Sequence, residues 1–350
     1  MNSERFQLIT RQYEKLRIGV LGDFCLDRYL EIDPARTEVS IETGLPVHNV
    51  VQVRPQPGGA GTIVNNLSAL GVGTIYPIGF AGEDGEGFEL WQALERVPAV
   101  DLKCFVRTQD RRTFTYCKPL VISPGKSPVE LNRLDSKNWT PTPVPVEALL
   151  NSHLAAAAVN LDALIVLDQV DVPDTGVVTR NVQKAIKNVL CSKPNMPILA
   201  DSRRGLRGYP PVIFKMNASE LAALAGCARE LDLDGIRKEA AALARKNNRE
   251  VFVSLAARGI LGASAGGDVS HFPALPIRGE IDVVGAGDAV SANLVAALAA
   301  GAALPEALEL ANAAASVVIH KLGTTGTANI RELSALLLNH NVRQPFQAAG

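Results

Sequence analysis

Between residues 146 and 255 two kinds of segment alternate, and this alternation restricts the fold more than any other feature of the chain. Short apolar runs, ALIVLD (163–168), PILAD (197–201), VIFKMN (212–217) and EVFVSL (250–255), are separated by stretches of helical spacing at 146–158, 176–190, 218–225 and 232–247. Continuous apolar strands are those buried on both faces, and parallel neighbours need helical crossovers to join them. The pattern predicts an α/β domain whose mostly parallel central sheet is covered on both sides. RIGVLGD (17–23) and TIYPIGF (74–80) read as further strands of that sheet, with helices at 60–71 and 84–96. A short amphipathic helix over 4–16 precedes them, a hairpin-like stretch occupies 260–272, and Ala-rich helices over 286–300, 304–321 and 330–339 follow.

Two regions break the rhythm. Tyr29 to Arg54, and Asp101 to Asp135 with its runs DLKCFV, RTFTYCKPLV and PVELNRLD, carry β-branched and charged residues with no helical period. They are predicted to pair as one small second sheet, a β lid of 29–54 and 101–135. The large domain is then 1–28, 55–100 and 136–340, with a frayed tail at 341–350.

Net charge is −1 and only 5% of the residues are aromatic, which argues against a nucleic-acid surface of basic face and stacking rings. No apolar run reaches the length of a membrane span, and the first residues lack a signal-peptide core. The five cysteines show no CxxC spacing, so neither zinc nor a disulfide framework is indicated. These features lead us to expect a cytoplasmic protein with small-molecule ligands, no nucleic acid and no membrane. A phosphate site in such a chain must be a local cluster of cations and backbone N–H groups.

IDVVGAGDAVSANLVAALAAG (281–301) carries the sharpest chemistry. A strand-like run leads through Gly285, Ala286 and Gly287 to Asp288 and an Ala-rich helix. Nearly side-chain-free residues let backbone N–H groups face a ligand, and the helix start adds positive partial charge. That is an anion hole for a transferring phosphoryl group, with Asp288 placed to take a proton from an attacking hydroxyl. The plainer alternative is that Asp288 only caps the helix. In PGGAGTIVNNLSALG (57–71), Gly58 and Gly59 either open a helix or let backbone approach a polyhydroxylated ligand. No GK[ST] follows, and GxGxxG is absent. Asn217 and Glu220, three apart at a helix start, read either as a capping box or as a pair beside metal-bound water and phosphate.

Taken together, the GGA-helix, NxxE and GAGD motifs, in this order, resemble those of the ribokinase (PfkB) family of carbohydrate kinases over residues 17–340. GDFCLDRYLEI, LNRLD and ANAAASVVIHKLGT (311–324) resemble its heptose 7-phosphate kinase branch in particular. The resemblance implies a ribokinase-like three-layer α/β/α sandwich with a small β-sheet lid, and ATP with Mg2+ as phosphoryl donor. It implies Asp288 as base, and Gly285, Ala286 and Gly287 as the anion hole. It places Asn217 and Glu220 near Mg2+ through water, and Ala257, Gly259 and Asn312 along the nucleotide. Asp27, Gly58, Gly59 and Asn66 fall on the sugar side, and Asp282 beside a K+ site. Arg112, Lys118, Arg133, Arg203 and Arg204 supply positive charge near the sugar end, and a phosphorylated acceptor would need it. The exposed face of the small sheet is expected to pair two subunits, giving a homodimer through the lid. A nucleoside kinase, or a catalytically weak sugar- or nucleotide-binding sensor, are the alternatives.

Overall fold

The computed structural model describes residues 1–323 and 325–340; the tail expected to fray, 341–350, lies outside the described residues. The strands are β1 (Arg17–Gly22), β2 (Phe24–Val39), β3 (Pro46–Gly59), β4 (Thr74–Gly82), β5 (Phe105–Thr108), β6 (Thr115–Val121), β7 (Val129–Glu130), β8 (Ala163–Asp168), β9 (Ile198–Ser202), β10 (Ile213–Asn217), β11 (Val251–Ser254), β12 (Ile260–Ala263) and β13 (Val269–Phe272). The helices are α1 (Ser3–Thr10), α2 (Ala60–Ala69), α3 (Gly85–Glu95), α4 (Val144–Ala158), α5 (Arg180–Ser192), α6 (Ala218–Ala225), α7 (Leu233–Asn247), α8 (Ala286–Ala299), α9 (Leu304–Val318) and α10 (Ile330–His340).

Nine strands form the large sheet in the order β13-β12-β11-β10-β9-β8-β1-β4-β5. From β11 to β5 all pairings are parallel, and β12 and β13 add antiparallel at one edge. Strand β8 shows why both faces are covered. Ile165 and Leu167 enter the core shared with α2, α8, α9 and α10, while Leu164 and Val166 enter the core shared with α4, α5 and α7. Adjacent side chains of a strand point to opposite faces, so an unbroken apolar run demands two helical layers. The expected three-layer sandwich is therefore present.

A second, four-stranded sheet has the order β3-β2-β6-β7. Strands β2 and β3 pair antiparallel from Phe24 opposite Gly59 out to Val39 opposite Pro46, with register shifts near Ile32. Strand β6 runs parallel to β2, with Asp27 opposite Tyr116.

Several boundaries differ from the sequence reading. Residues 105–108, expected in the small sheet, pair parallel with β4 as the last strand of the large one. Phe105 and Val106 are buried in the cores on opposite faces of that sheet, and the Phe105 ring meets Phe24 edge-on at 5.1 Å. The small sheet also starts at Phe24 and ends at Gly59, so it grows without a linker from the end of β1 and runs straight into α2. Helix α1 stops at Thr10, followed by a 3-10 turn at Tyr13–Lys15. Helix α5 starts at Arg180 rather than 176, because Val177 N–H is held by Asp23 Oδ1 at 2.7 Å and Thr179 caps the helix.

Candidate active site

Helix α8 begins at the carboxyl end of the large sheet. Its cap is Gly285, whose φ of 80° lies in the left-handed region that glycine tolerates, and no side chain caps it. Asp288 is thus the third helical residue and not the cap, which removes the plainer reading of that residue. The first N–H groups of a helix have no intrahelical acceptor, so Gly287 and Asp288 present theirs at the positive end of α8.

Beneath this turn lies a residue that the motifs did not single out. Lys215, on β10, is 7% exposed, and its Nζ donates to Asp201 Oδ2 on β9 at 2.6 Å. A Cβ added to Gly287 would sit 3.1 Å from that Nζ, so the small residue lets the loop settle on the ammonium. Desolvation opposes the lysine's charge, but Asp201, followed by Asp288 and Glu220, outweighs it and raises the Lys215 pKa. The signal was in the sequence: one charge inside an otherwise apolar buried strand needs a partner.

Asp288 accepts no hydrogen bond from a side chain of the described residues. Its carboxyl is pushed up to about 7, chiefly by desolvation, with Lys215 opposing and Asp201 and Asp27 adding to the rise. A group poised there accepts a proton near neutral pH.

Asp27 reaches the site from β2. Register partners and alternate residues share a sheet face, so Asp27, Tyr29, Tyr116 and Lys118 lie together. Lys118 Nζ pairs with Asp27 Oδ1 at 2.9 Å. Gly58, opposite Cys25 in β3, lets the chain pass against Asp27, since a Cβ there would collide with the Asp27 carboxylate. The glycine pair thus opens α2 and lets β3 pack closely against Asp27. Asp23, four residues before Asp27, is an internal clamp: its oxygens accept from Gln169 N and Val177 N, both at 2.7 Å.

The basic residues divide. Arg203, Arg133 and Lys137 gather on Tyr116. Arg203 Nη1 donates to its hydroxyl at 3.4 Å, and Arg133 and Lys137 lie 4.5 and 5.9 Å from its ring centroid. Arg204 does not join them; its Nη2 donates to buried Asp168 at 2.7 Å, alongside Tyr209 Oη and Ser202 Oγ. Arg112 lies beside Asp84 instead. Asn66 is fully buried in α2, where its Nδ2 donates to Thr62 O at 3.0 Å and its Oδ1 has no partner among the described residues.

On the other side of the α8 turn lies a cleft of about 730 Å3, within the range of small-molecule sites. Asn217, Ala257, Gly259, Ala286, Gly287 and Asn312 all line it, so the residues expected along a nucleotide are brought together. Asn217 and Glu220 do form the capping box: Asn217 Oδ1 accepts from Glu220 N at 2.9 Å, and Glu220 Oε2 from Asn217 N at 2.7 Å. Desolvation raises the Glu220 pKa, with Asp201 adding to it and Asn217 N–H and Lys215 opposing. No cluster of three His, Cys, Asp or Glu able to hold a metal occurs among the described residues. Magnesium commonly binds through one or two carboxylates, water and substrate phosphates, and Glu220, next in the chain after Ser219 of the cleft lining, is a carboxylate of the kind that could serve. Asp282 Oδ1 accepts from Val284 N at 3.0 Å and so shapes its own loop.

Comparison with known proteins places the family and the fold. The family model described as pfkB family carbohydrate kinase matches residues 24–331. The bifunctional protein HldE of Hyphomonas neptunium is 31% identical over 352 residues, covering 100% of this chain and 68% of its own length. The same-named protein of Azorhizobium caulinodans is 32% identical over 309 residues, covering 88% and 61%. The chain thus spans about two thirds of the length of these relatives. Arabidopsis thaliana ribokinase, solved with ribose and ATP, superposes with a TM-score of 0.64 at 19% identity, covering 92% of this chain and 98% of that one. Escherichia coli phosphofructokinase-2, solved with substrates and products, gives 0.67 at 19% identity, covering 91% and 97%. With the fold shared and the family model matched over most of its length, the chain belongs to the pfkB family of carbohydrate kinases, which transfer a phosphoryl group to a sugar hydroxyl.

Proposed function

We propose that the protein transfers the γ-phosphoryl group of ATP to a hydroxyl of a sugar that already carries a phosphate. The observation that carries the phosphoryl-transfer reading is Asp288, which accepts no side-chain hydrogen bond among the described residues and is poised at about 7 between the 730 Å3 cleft and the Asp27 face. ATP lies in the cleft with its terminal phosphates over the α8 turn. Asp288 takes the proton of the acceptor hydroxyl, the oxygen bonds to the γ-phosphorus, and the bond to the β–γ bridging oxygen breaks to leave ADP. Lys215 and the N–H groups of Gly287 and Asp288 receive the charge of the transferring group. Asp27, held by Lys118, orients sugar hydroxyls. Asn217 and Glu220 would hold Mg2+ through water, and the ion, when bound, neutralises phosphate charge. A K+ ion beside Asp282 is a further element of the proposal, read out as turnover in K+ against Na+.

The phosphorylated acceptor rests on Arg203, Arg133 and Lys137 around Tyr116, the register partner of Asp27. Their present partners are Asp135 for Arg133, and Asp171 for Lys137 and, at 3.7 Å, Arg203. Exposed pairs of this kind are weak, so a dianion that binds two of the cations displaces them readily. A coupled ADP-release screen over free sugars, their terminal phosphates and nucleosides tests the assignment. Arg203→Ala is expected to lower kcat/KM for the sugar phosphate by roughly 10-fold or more and leave the free sugar nearly unchanged, since a charge-assisted bond contributes about 1.5–3 kcal/mol. Preference for free sugars, or an equal effect on both, rejects the phosphorylated acceptor; preference for nucleosides favours the nucleoside-kinase alternative.

The β2–β3 ribbon exposes Val39, Ile41 and Leu45 at its far end, and Val51 and Val53 midway along it, where Leu30 pairs with Val53. Apolar residues concentrated on a projecting ribbon suit a second copy of the chain, and we propose a dimer through this sheet. Light scattering should give twice the chain mass, and Val51→Lys with Val53→Lys should halve it. A monomer in the unmodified protein rejects this assembly. No helix among the described residues is long and apolar enough to cross a membrane.

A further inference from the structure

Three cations gather on Tyr116, and the protein itself supplies them with counter-charge. Arg133 is paired by Asp135, two residues along the same segment, at 3.0 Å. Lys137 and Arg203 come from segments far apart in the chain, and a single carboxylate serves both. Asp171 Oδ2 accepts from Lys137 Nζ at 2.9 Å, and Asp171 Oδ1 lies 3.7 Å from Arg203 Nε. Lys137 holds the Asp171 carboxyl below the usual carboxylate range against the cost of desolvation, and Arg203 adds to the effect, so the bridge is ionic at neutral pH.

Asp171 is set in place by its loop. It lies on the connection from β8 to α5, which is tied down on both sides of it. Asp23 holds Gln169 N and Val177 N, both at 2.7 Å. Thr142 N–H donates to Asp174 O at 2.7 Å, Thr142 Oγ1 to Gly176 O at 2.6 Å, and Thr175 Oγ1 to Val172 O at 2.8 Å. Lys137 is likewise restrained, its ammonium lying 6.0 and 5.9 Å from the ring centroids of Phe114 and Tyr116. Isolated surface ion pairs contribute little. This one differs because one anion bridges two cations from separate elements, which is how a phosphate would be held.

We propose that Asp171 is a specificity-determining residue: an internal anion that stands in the place of the acceptor's phosphate and is exchanged for it on binding. The inference rests on the phosphorylated-acceptor reading. A neutral sugar leaves the bridge intact and gains nothing from the cations. A monoanion replaces Asp171 charge for charge. A dianion brings one further charge, and the sugar that bears it is also held at the Asp27 face. The bridge thus selects against ligands that bring less, including inorganic phosphate, which has no sugar to hold. Once displaced, the carboxylate stays tethered nearby and opposes the phosphate alike in the ground state and the transition state. It therefore acts on KM and not on kcat.

Asp171→Asn keeps the size of the side chain and removes its charge. Calorimetric titration with inorganic phosphate, and steady-state kinetics with the sugar phosphate that the screen selects, compare it with the unmodified protein. The variant is expected to bind inorganic phosphate about 3- to 10-fold more tightly, because two weak pairs no longer compete. Its KM for the sugar phosphate should fall by a similar factor, with kcat within about twofold. In an Arg203→Ala background the same substitution should give a gain of about twofold at most, since one of the bridged cations is gone. A merely structural Asp171 predicts the opposite, a loosened loop with phosphate affinity unchanged or lower and KM raised, and either result overturns the proposal. A gain of equal size with and without Arg203 is a general field effect and overturns it as well. Preference of the unmodified protein for free sugars is a separate failure. It removes the phosphorylated acceptor, and Asp171 with it, and is read without any variant. Asp171→Ala provides a second variant should the asparagine form fold poorly.

Discussion

Asp288→Asn is expected to lower kcat by about 10³-fold while ADP binding stays within a few-fold of normal. The amide keeps the shape of the α8 turn and cannot accept the hydroxyl proton. The unmodified protein should show kcat/KM rising about tenfold per pH unit below about 7 and levelling above it, because the active form is the ionised carboxylate whose pKa is pushed to about 7. The variant should lose that inflection. Stability should move the other way. A carboxyl whose folded pKa exceeds its unfolded value near 3.9 holds its proton only when folded, so between about pH 4 and 7 stability falls as pH rises. Removing the charge relieves that loss, so at pH 8 the Tm of Asp288→Asn should equal or exceed that of the unmodified protein. Near-normal turnover in the variant would eliminate Asp288 as the base.

Lys215→Met should produce the second large loss, about 10²–10³-fold in kcat, the range seen when one stabiliser of transition-state charge is removed. Lys215 is the strongest influence pulling the Asp288 pKa down, so its removal should also shift the kcat/KM inflection to higher pH. The variant leaves Asp201 without its 2.6 Å partner, and breaking a buried pair costs about 3–5 kcal/mol. Asp201→Asn combined with Lys215→Met separates the two consequences. The pair replacement should recover much of the Tm and none of the turnover. Recovery of turnover with stability would reduce Lys215 to a structural role.

The parts of this site that were legible in the sequence are those whose chemistry is local. The Gly285 to Asp288 turn, the strands of the βα alternation and the Asn217–Glu220 pair each lie within a few consecutive residues, and backbone geometry alone limits what they can do. What was illegible depends on which distant segments meet. FVRT at 105–108 has the composition of a lid strand, and only the core above and below it, Phe24 included, shows that it closes the large sheet. Arg203 and Arg204 are adjacent and look equivalent, yet one faces Tyr116 and the other is consumed by buried Asp168. Asn66 lies on a helix next to the glycine pair, and its complete burial is set by a packing face that spacing does not display. Asp23 stands at the end of β1, where ligands are expected, but its two oxygens are already taken by the 169–177 loop.

The direct growth of the small sheet from β1 gives the ribbon the character of a lever. Its root is tied down on both strands: Asp23 is gripped by Gln169 and Val177, and Ala60 N–H, where β3 passes into α2, donates to Asp23 O at 3.0 Å. Asp27 lies four residues from that fulcrum, roughly 13 Å along the strand, while the far end of β2 lies up to about 50 Å away. A rotation of about 10° at the root would shift Asp27 by roughly 2 Å, the scale of a hydrogen bond made or broken, and swing the far end by roughly 9 Å. Read in reverse, a large and low-force displacement at the tip becomes a small and stiff one at the sugar. A second copy gripping the tip would therefore set the position of Asp27 with a mechanical advantage of about four.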